Sequence, residues 1–311
     1  MIVTVTMNPA IDKTVEIDKF VCRGLNRIRK VEYDAGGKGI NVSKTIHELG
    51  GSSVATGFLG GNNGQVIANV LKEKGITGDF VWVSGETRTN TKVVEDDGSL
   101  TELNEPGALI TEKDIQELKN KLLGYADQST MFIFAGSIPA GVPKDIYGEL
   151  IHLVKEKGAC VLLDADGEAF YKSVEAGPDT IKPNQVELEE YFGLPEGTDI
   201  TEIIRAAKSL EEKGVKNIVV SMGKDGALFL MEDYEVRCQG LSVKAHSTVG
   251  AGDAMVAALA YAWDHQLGKE ETVKLCMATS AGAVTTIGTK PPSREVVDTL
   301  IKQVTVKKIG E

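Results

Sequence analysis

Residues Ser247-Thr248-Val249-Gly250-Ala251-Gly252-Asp253-Ala254 place small side chains and one carboxylate directly before an apolar helical segment, Met255–Tyr261. The first N–H groups of a helix have no partner inside it, and the positive end of the helix dipole lies beside them, so anions gather there. Glycine at 250 and 252 lets the backbone approach a phosphate that a Cβ would obstruct. Asp253 stands where it could take a proton from an attacking hydroxyl, while Gly250, Ala251 and Gly252 offer amides to developing negative charge. That is the chemistry of phosphoryl transfer. The same residues also admit a plainer reading, since an Asp near a helix start is commonly a cap or a first-turn charge. They admit a dinucleotide-binding turn as well, although that pattern follows an early strand and needs a third glycine where Met255 stands.

Five further stretches carry polar chemistry. Ala35-Gly36-Gly37-Lys38-Gly39-Ile40-Asn41 joins a glycine-rich loop to a point charge suited to phosphate, Lys38, and to an amide suited to hydroxyls, Asn41. It is not a Walker A loop, because Gly39 follows Lys38 in place of Ser or Thr. Asn8-Pro9-Ala10-Ile11-Asp12 lies just past the first predicted strand, where parallel sheets bind ligands. In Thr87–Lys92, Arg88, Asn90 and Lys92 fall on one side of an extended segment, which is either a solvated polar face or a set of candidate substrate contacts in which Arg88 and Asn90 stand first. Asn184 and Glu187 have the spacing of a helix cap, and that geometry also suits a hydrated magnesium ion. Ser221–Gly226 ends another strand, either as a nucleotide-wrapping loop or as a hairpin turn.

These groups need a frame. Strand-length apolar runs (2–6, 54–58, 80–83, 131–135, 160–164, 180–182, 217–221) alternate with helical stretches (39–49, 64–74, 113–123, 144–157, 185–192, 200–213), and helices close the chain (251–262, 270–284, 294–304). Such alternation predicts an α/β fold, a mainly parallel sheet with helices on both faces. Short strands near 15–17, 27–33, 91–95 and 100–104 lack intervening helices and predict a small separate sheet. With no linker, repeat or low-complexity run, 1–311 reads as one domain with a lid from about 13–34 and 88–105.

A formal net charge of -11 disfavours nucleic acid or an anionic membrane surface as main partner. The four dispersed cysteines form neither a disulfide framework nor a zinc site. No charged leader precedes Met1–Thr6 and no apolar run reaches a membrane span, so a cytoplasmic protein is expected.

Taken in order, Gly-Gly-Lys-Gly-x-Asn at 36–41, Lys-Pro-Asn-x-x-Glu at 182–187, Ser-x-Gly at 221–223 and Gly-Ala-Gly-Asp at 250–253 resemble the PfkB (ribokinase-like) family of carbohydrate kinases, nearly end to end. Within it, Thr6–Asp12, Thr87–Lys92 and Leu103-Asn104-Glu105-Pro106-Gly107 are similar to the fructose-1-phosphate kinase and tagatose-6-phosphate kinase branch. The resemblance implies a three-layer αβα sandwich with a β-sheet lid. It implies transfer from ATP, with Mg2+, to a sugar phosphate, fructose 1-phosphate before tagatose 6-phosphate. It implies Asp253 as general base, with Gly250, Ala251 and Gly252 as anion hole. Lys38, Arg88 and Arg27 would hold the substrate's phosphate, and Asp12, Gly37, Asn41 and Ser137 its hydroxyls. Asn184 and Glu187 would organise magnesium through water, and Lys182, Ser221, Gly223 and Gly226 would line the nucleotide site. Ser247 replaces the Asp that many relatives use in a monovalent-cation loop, so potassium is not expected. A nicotinamide-dependent dehydrogenase and a non-catalytic sugar-phosphate sensor are the alternatives, and the exposed edges of a lid sheet could be covered by a second copy of the chain.

Overall fold

The computed structural model describes residues 1–310. Among them, eleven strands join in one mixed sheet. Its parallel centre runs Val54–Leu59, Ile2–Thr6, Met131–Ala135, Cys160–Asp164, Thr180–Ile181, Asn217–Ser221. These strands are apolar on both sides because both faces are covered. Val5, Phe132, Phe134, Val161, Leu163, Ile218 and Val220 pack into one layer with the helices Glu112–Tyr125 and Ile146–Lys155. Ile2, Ile133, Leu162 and Val219 point into the other, against the helices Lys38–Glu48, Ala251–Asp264 and Lys269–Ala283. The fold is thus α/β with helix, sheet and helix in three layers.

One edge differs from the sequence expectation. After Ser221 the sheet turns antiparallel through Ala227–Met231, Tyr234–Cys238 and Val306–Lys308. The run Ala227–Met231 is buried throughout, and the chain reverses at Asp233 with φ 59°. The segment expected at 80–83 contracts to Val81–Trp82, and a second short piece, Thr77–Gly78, pairs with the same neighbour.

A four-stranded sheet stands apart from the main one, in the order Lys30–Gly36, Ala10–Glu16, Arg88–Val94, Leu100–Asn104. Its first and second strands begin or end at the two loops already noted, Asn8–Asp12 and Ala35–Asn41. Side chains on that sheet therefore overhang the carboxyl ends of the central strands.

Candidate active site

Two cavities open at those carboxyl ends, and the start of the helix Ala251–Asp264 divides them. Gly250 caps that helix with φ 84°, a left-handed conformation that favours glycine, and no side chain takes up the first-turn amides. Gly250 and Asp253 face one cavity; Ala251 and Gly252 face the other.

The first cavity, about 350 Å³, lies between this turn and the small sheet. It gathers Asp12, Gly37, Lys38, Asn41, Arg88, Asn90 and Ser137, all candidates from sequence, and adds Thr6, Asn8, Lys92, Asp166 and Thr289. Its polar groups are only partly satisfied. Thr6 Oγ1, Asn41 Oδ1, Arg88 Nε and Asn90 Oδ1 are buried without a hydrogen-bond partner, and they line this one cleft. A buried polar atom left unpaired is costly, so four in one cleft mark the place of a polar ligand. Asp12 sits at the back, 3.3 Å from the Lys92 ammonium. It fits because residue 36 is glycine: a Cβ there would stand 2.6 Å from Asp12 Oδ2. Arg88 donates to the backbone oxygens of Asn8 and Glu105, each at 3.1 Å, and through Nη2 to Ser137 Oγ at 3.4 Å.

The second cavity, about 300 Å³, is mostly apolar. Ser221, Gly223 and Gly226 line it as expected, with Leu241, Val243, Met255 and Met277 as walls and Thr248 and Ser280 as polar points. The Ser221–Gly226 segment forms the turn of an antiparallel hairpin, one of its two sequence readings, and also rims this cavity. An apolar slot with a few hydroxyls suits a planar heterocycle.

Between the cavities lies a charged floor. Asp164, at the end of its strand, is buried, 3.2 Å from the Lys182 ammonium and 3.8 Å from that of Lys38. Burial opposes its ionisation, yet the two cations together hold it below the ordinary carboxylate range. Asp164 beside it in turn holds Lys38 above its ordinary value. Burial, reinforced by Asp164, pushes the Asp253 carboxyl up to about 6. Sequence reasoning passed over Asp164, although its position at the carboxyl end of a central strand was a usable signal.

Two candidates sit differently from expectation. Arg27 is exposed in the loop between the first two strands of the small sheet and lines neither cavity. Lys182 does not line the apolar cavity; it lies beneath the turn, where a Cβ on Gly252 would meet its ammonium at 3.3 Å. Asn184 and Glu187 form a reciprocal cap, with Asn184 Oδ1 accepting from the Glu187 N–H and Glu187 Oε2 accepting from the Asn184 N–H, both at 2.8 Å. That cap uses one carboxylate oxygen of Glu187. Burial raises this carboxyl above its usual range, against the opposing pull of the Asn184 N–H and the Lys182 charge. A hydrated cation fits such a donor better than a bare one, since the described residues hold no cluster of three metal-ligating side chains.

The chain belongs to the PfkB family of carbohydrate kinases, whose model matches residues 5–296. It is an ATP-dependent sugar kinase, and its relatives narrow the class. It is 34% identical to the 1-phosphofructokinase of Vibrio cholerae, over 98% of this chain and 96% of that one. To the 1-phosphofructokinase of Bacillus subtilis it is 34% identical, over 99% and 100%. Phosphofructokinase-2 from Escherichia coli, solved in complex with substrates and products, superposes with a TM-score of 0.92 at 28% identity, covering 97% of this chain and 98% of that one. Ribokinase from Thermotoga maritima shares the fold, with a TM-score of 0.79 at 24% identity over 97% and 99%. No helix among the described residues is long and apolar enough to cross a membrane.

Proposed function

We propose that the chain is a 1-phosphofructokinase, moving the terminal phosphoryl group of ATP onto fructose 1-phosphate to give fructose 1,6-bisphosphate. The observation that carries this is the helix start shared by two cavities, one polar with the buried Asp253 and one apolar. A sugar phosphate in the first meets a nucleotide in the second across two backbone amides. Asp253 takes the proton of the attacking hydroxyl, and the Ala251 and Gly252 N–H groups steady the charge on the phosphoryl oxygens, a contribution of roughly 3 kcal/mol per well-aimed donor. Lys38 and Arg88 hold the phosphate the sugar already carries. Asp12, Asn41, Asn90 and Ser137 take its hydroxyls. Ser221, Gly223 and Gly226 line the nucleotide's place, and Lys182 lends charge from beneath the turn. When bound, Mg2+ screens the nucleotide's phosphates; Asn184 and Glu187 would hold it through water.

We place the enzyme in the cytoplasm, in keeping with four unpaired cysteines among the described residues. We also propose that the small sheet pairs with that of a second copy, because Leu25, Tyr33, Leu100 and Leu103 are large apolar side chains left exposed on it and its loop.

A coupled assay with Mg-ATP and fructose 1-phosphate, tagatose 6-phosphate or fructose 6-phosphate tests the reading. The highest kcat/KM is expected with fructose 1-phosphate. Preference for tagatose 6-phosphate would reassign the substrate, and absence of ADP release with all three would make the pocket a sensor.

A further inference from the structure

Asn41 and Asp253 lie 212 residues apart in the chain, yet the Asn41 side-chain Nδ2 donates to Asp253 Oδ2 at 2.8 Å in a buried contact. An ionised carboxylate only accepts, so the amide must present its nitrogen to Asp253 and turn its oxygen away. That oxygen, Asn41 Oδ1, is buried, lines the polar cavity and has no partner. Asn41 sits in the first turn of the helix Lys38–Glu48, its N–H bonded to Gly37 O at 2.9 Å and its carbonyl accepting from Thr45 Oγ1 at 2.9 Å. One amide is thus fixed with its donor on the base and its acceptor toward the ligand.

We infer that Asn41 is a positioning residue for Asp253, which reserves Oδ2 and so directs the substrate's proton to Oδ1, while its own Oδ1 accepts a second hydroxyl of the same sugar. This rests on Asp253 being the base. In the step, the O–H bond of the attacking hydroxyl breaks and an O–H bond forms at Asp253 Oδ1. The freed electron pair on oxygen goes to the terminal phosphorus of ATP, whose bond to the bridging oxygen breaks to release ADP. The proton on Asp253 then passes to water. Asn41 Nδ2 keeps its bond to Oδ2 throughout, so the carboxyl stays aligned before and after transfer. A substrate recognised this way must reach Asn41 Oδ1 with a second hydroxyl while its attacking hydroxyl meets Asp253 Oδ1.

The test compares Asn41→Asp, Asn41→Ala and Asp253→Asn in the full-length enzyme, measured for kcat, sugar-phosphate KM and the acid limb of the pH profile. Asn41→Asp is nearly isosteric; it keeps an acceptor for the sugar and sets a second carboxylate against Asp253, in a surround where Asp164, Lys38 and Lys182 are unchanged. It should hold sugar-phosphate KM within about 3-fold, lower kcat at neutral pH by about 10²-fold, and move the acid limb upward by about one pH unit or more. Asn41→Ala loses both contacts and should also raise KM by about 10-fold. An inactive Asp253→Asn together with an Asn41→Asp variant of unchanged kcat and acid limb overturns the inference alone. Full turnover in Asp253→Asn overturns the base assignment beneath it. Should Asn41→Asp not fold, the same comparison is made with Asn41→Ala, where unchanged kcat overturns the positioning role.

Discussion

Thr289 Oγ1 donates to Asp34 Oδ2 across 3.0 Å, joining the loop packed behind Gly250 to the root of the strand Lys30–Gly36. The same Asp34 oxygen accepts from the buried Lys44 ammonium at 3.1 Å, and Lys44 also reaches Ala35 O at 2.7 Å. Thr289 Cα would stand 3.5 Å from a Cβ on Gly250, so the loop supports the turn that divides the cavities. Removing the hydroxyl with Thr289→Val should cost about 1 kcal/mol of stability and lower kcat about 10-fold, with Thr289→Ser restoring both. Equal kcat in Val and Ser variants would separate the loop from the turn's function.

Asp253 gives a pH signature. Its carboxyl, pushed up to about 6, is protonated at lower pH and can then no longer take up the sugar's proton. Activity should fall as pH drops through 6, read as kcat/KM. Stability should run the other way: between about 4 and 6 the folded protein binds a proton that the unfolded chain has lost, so stability declines as pH rises through that window. Asp253→Asn should therefore abolish most turnover yet melt a few degrees higher at pH 7.5 and no higher at pH 4. Thermal melts at both pH values check it.

Lys38→Ala should raise sugar-phosphate KM by about 10- to 100-fold, the worth of one or two charged hydrogen bonds, with ATP affinity little changed. Its ammonium also neutralises Asp164 from 3.8 Å, so the variant leaves that carboxylate to Lys182 alone. Titration with each substrate separates the outcomes, and a loss confined to ATP would move Lys38 to the nucleotide's side.

Gly36→Ala is a small change with a directed effect. The added carbon would meet Asp12 Oδ2 at 2.6 Å, and the carboxylate would have to leave Lys92. Sugar-phosphate KM should rise at least 10-fold while the apolar cavity, on the far side of the turn, binds ATP as before. Calorimetric binding of each substrate would show whether the two effects separate.

Much of this was legible in the residues. Helix starts at 38, 185 and 251 and the strand ends at Thr6 and Ser221 follow from local pattern, and they alone bring Asp12, Lys38, Asn41, Ser221 and Asp253 to one end of the sheet. What local pattern does not encode is which of two chemically similar residues points inward. Arg27 and Arg88 have the same chemistry, but Arg88 lies in a strand paired to Ala10–Glu16 while Arg27 lies in the loop leaving it. Asp164 escaped notice because an acidic residue closing a strand looks like a turn former until its neighbours across the sheet, Lys38 and Lys182, are known. The Asn184–Glu187 pair is the converse: its spacing announces a cap, and the cap is there, with one carboxylate oxygen to spare.

The contact between Asn41 and Asp253 also bears on how this protein comes into being. Each lies on its own helix, packed on the same face of the sheet, and 212 residues separate them. Contacts so distant in sequence form late, after the intervening chain has paid its loop-closure entropy. During synthesis the helix bearing Asn41 waits through the central strands before its partner is made. A chain truncated before residue 250 keeps the small sheet, Lys38 and Asp164 but lacks the dividing turn and the proposed base, Asp253. On the proposed mechanism, activity regained after dilution from denaturant is expected only once the helices bearing Asn41 and Asp253 have both docked on the sheet.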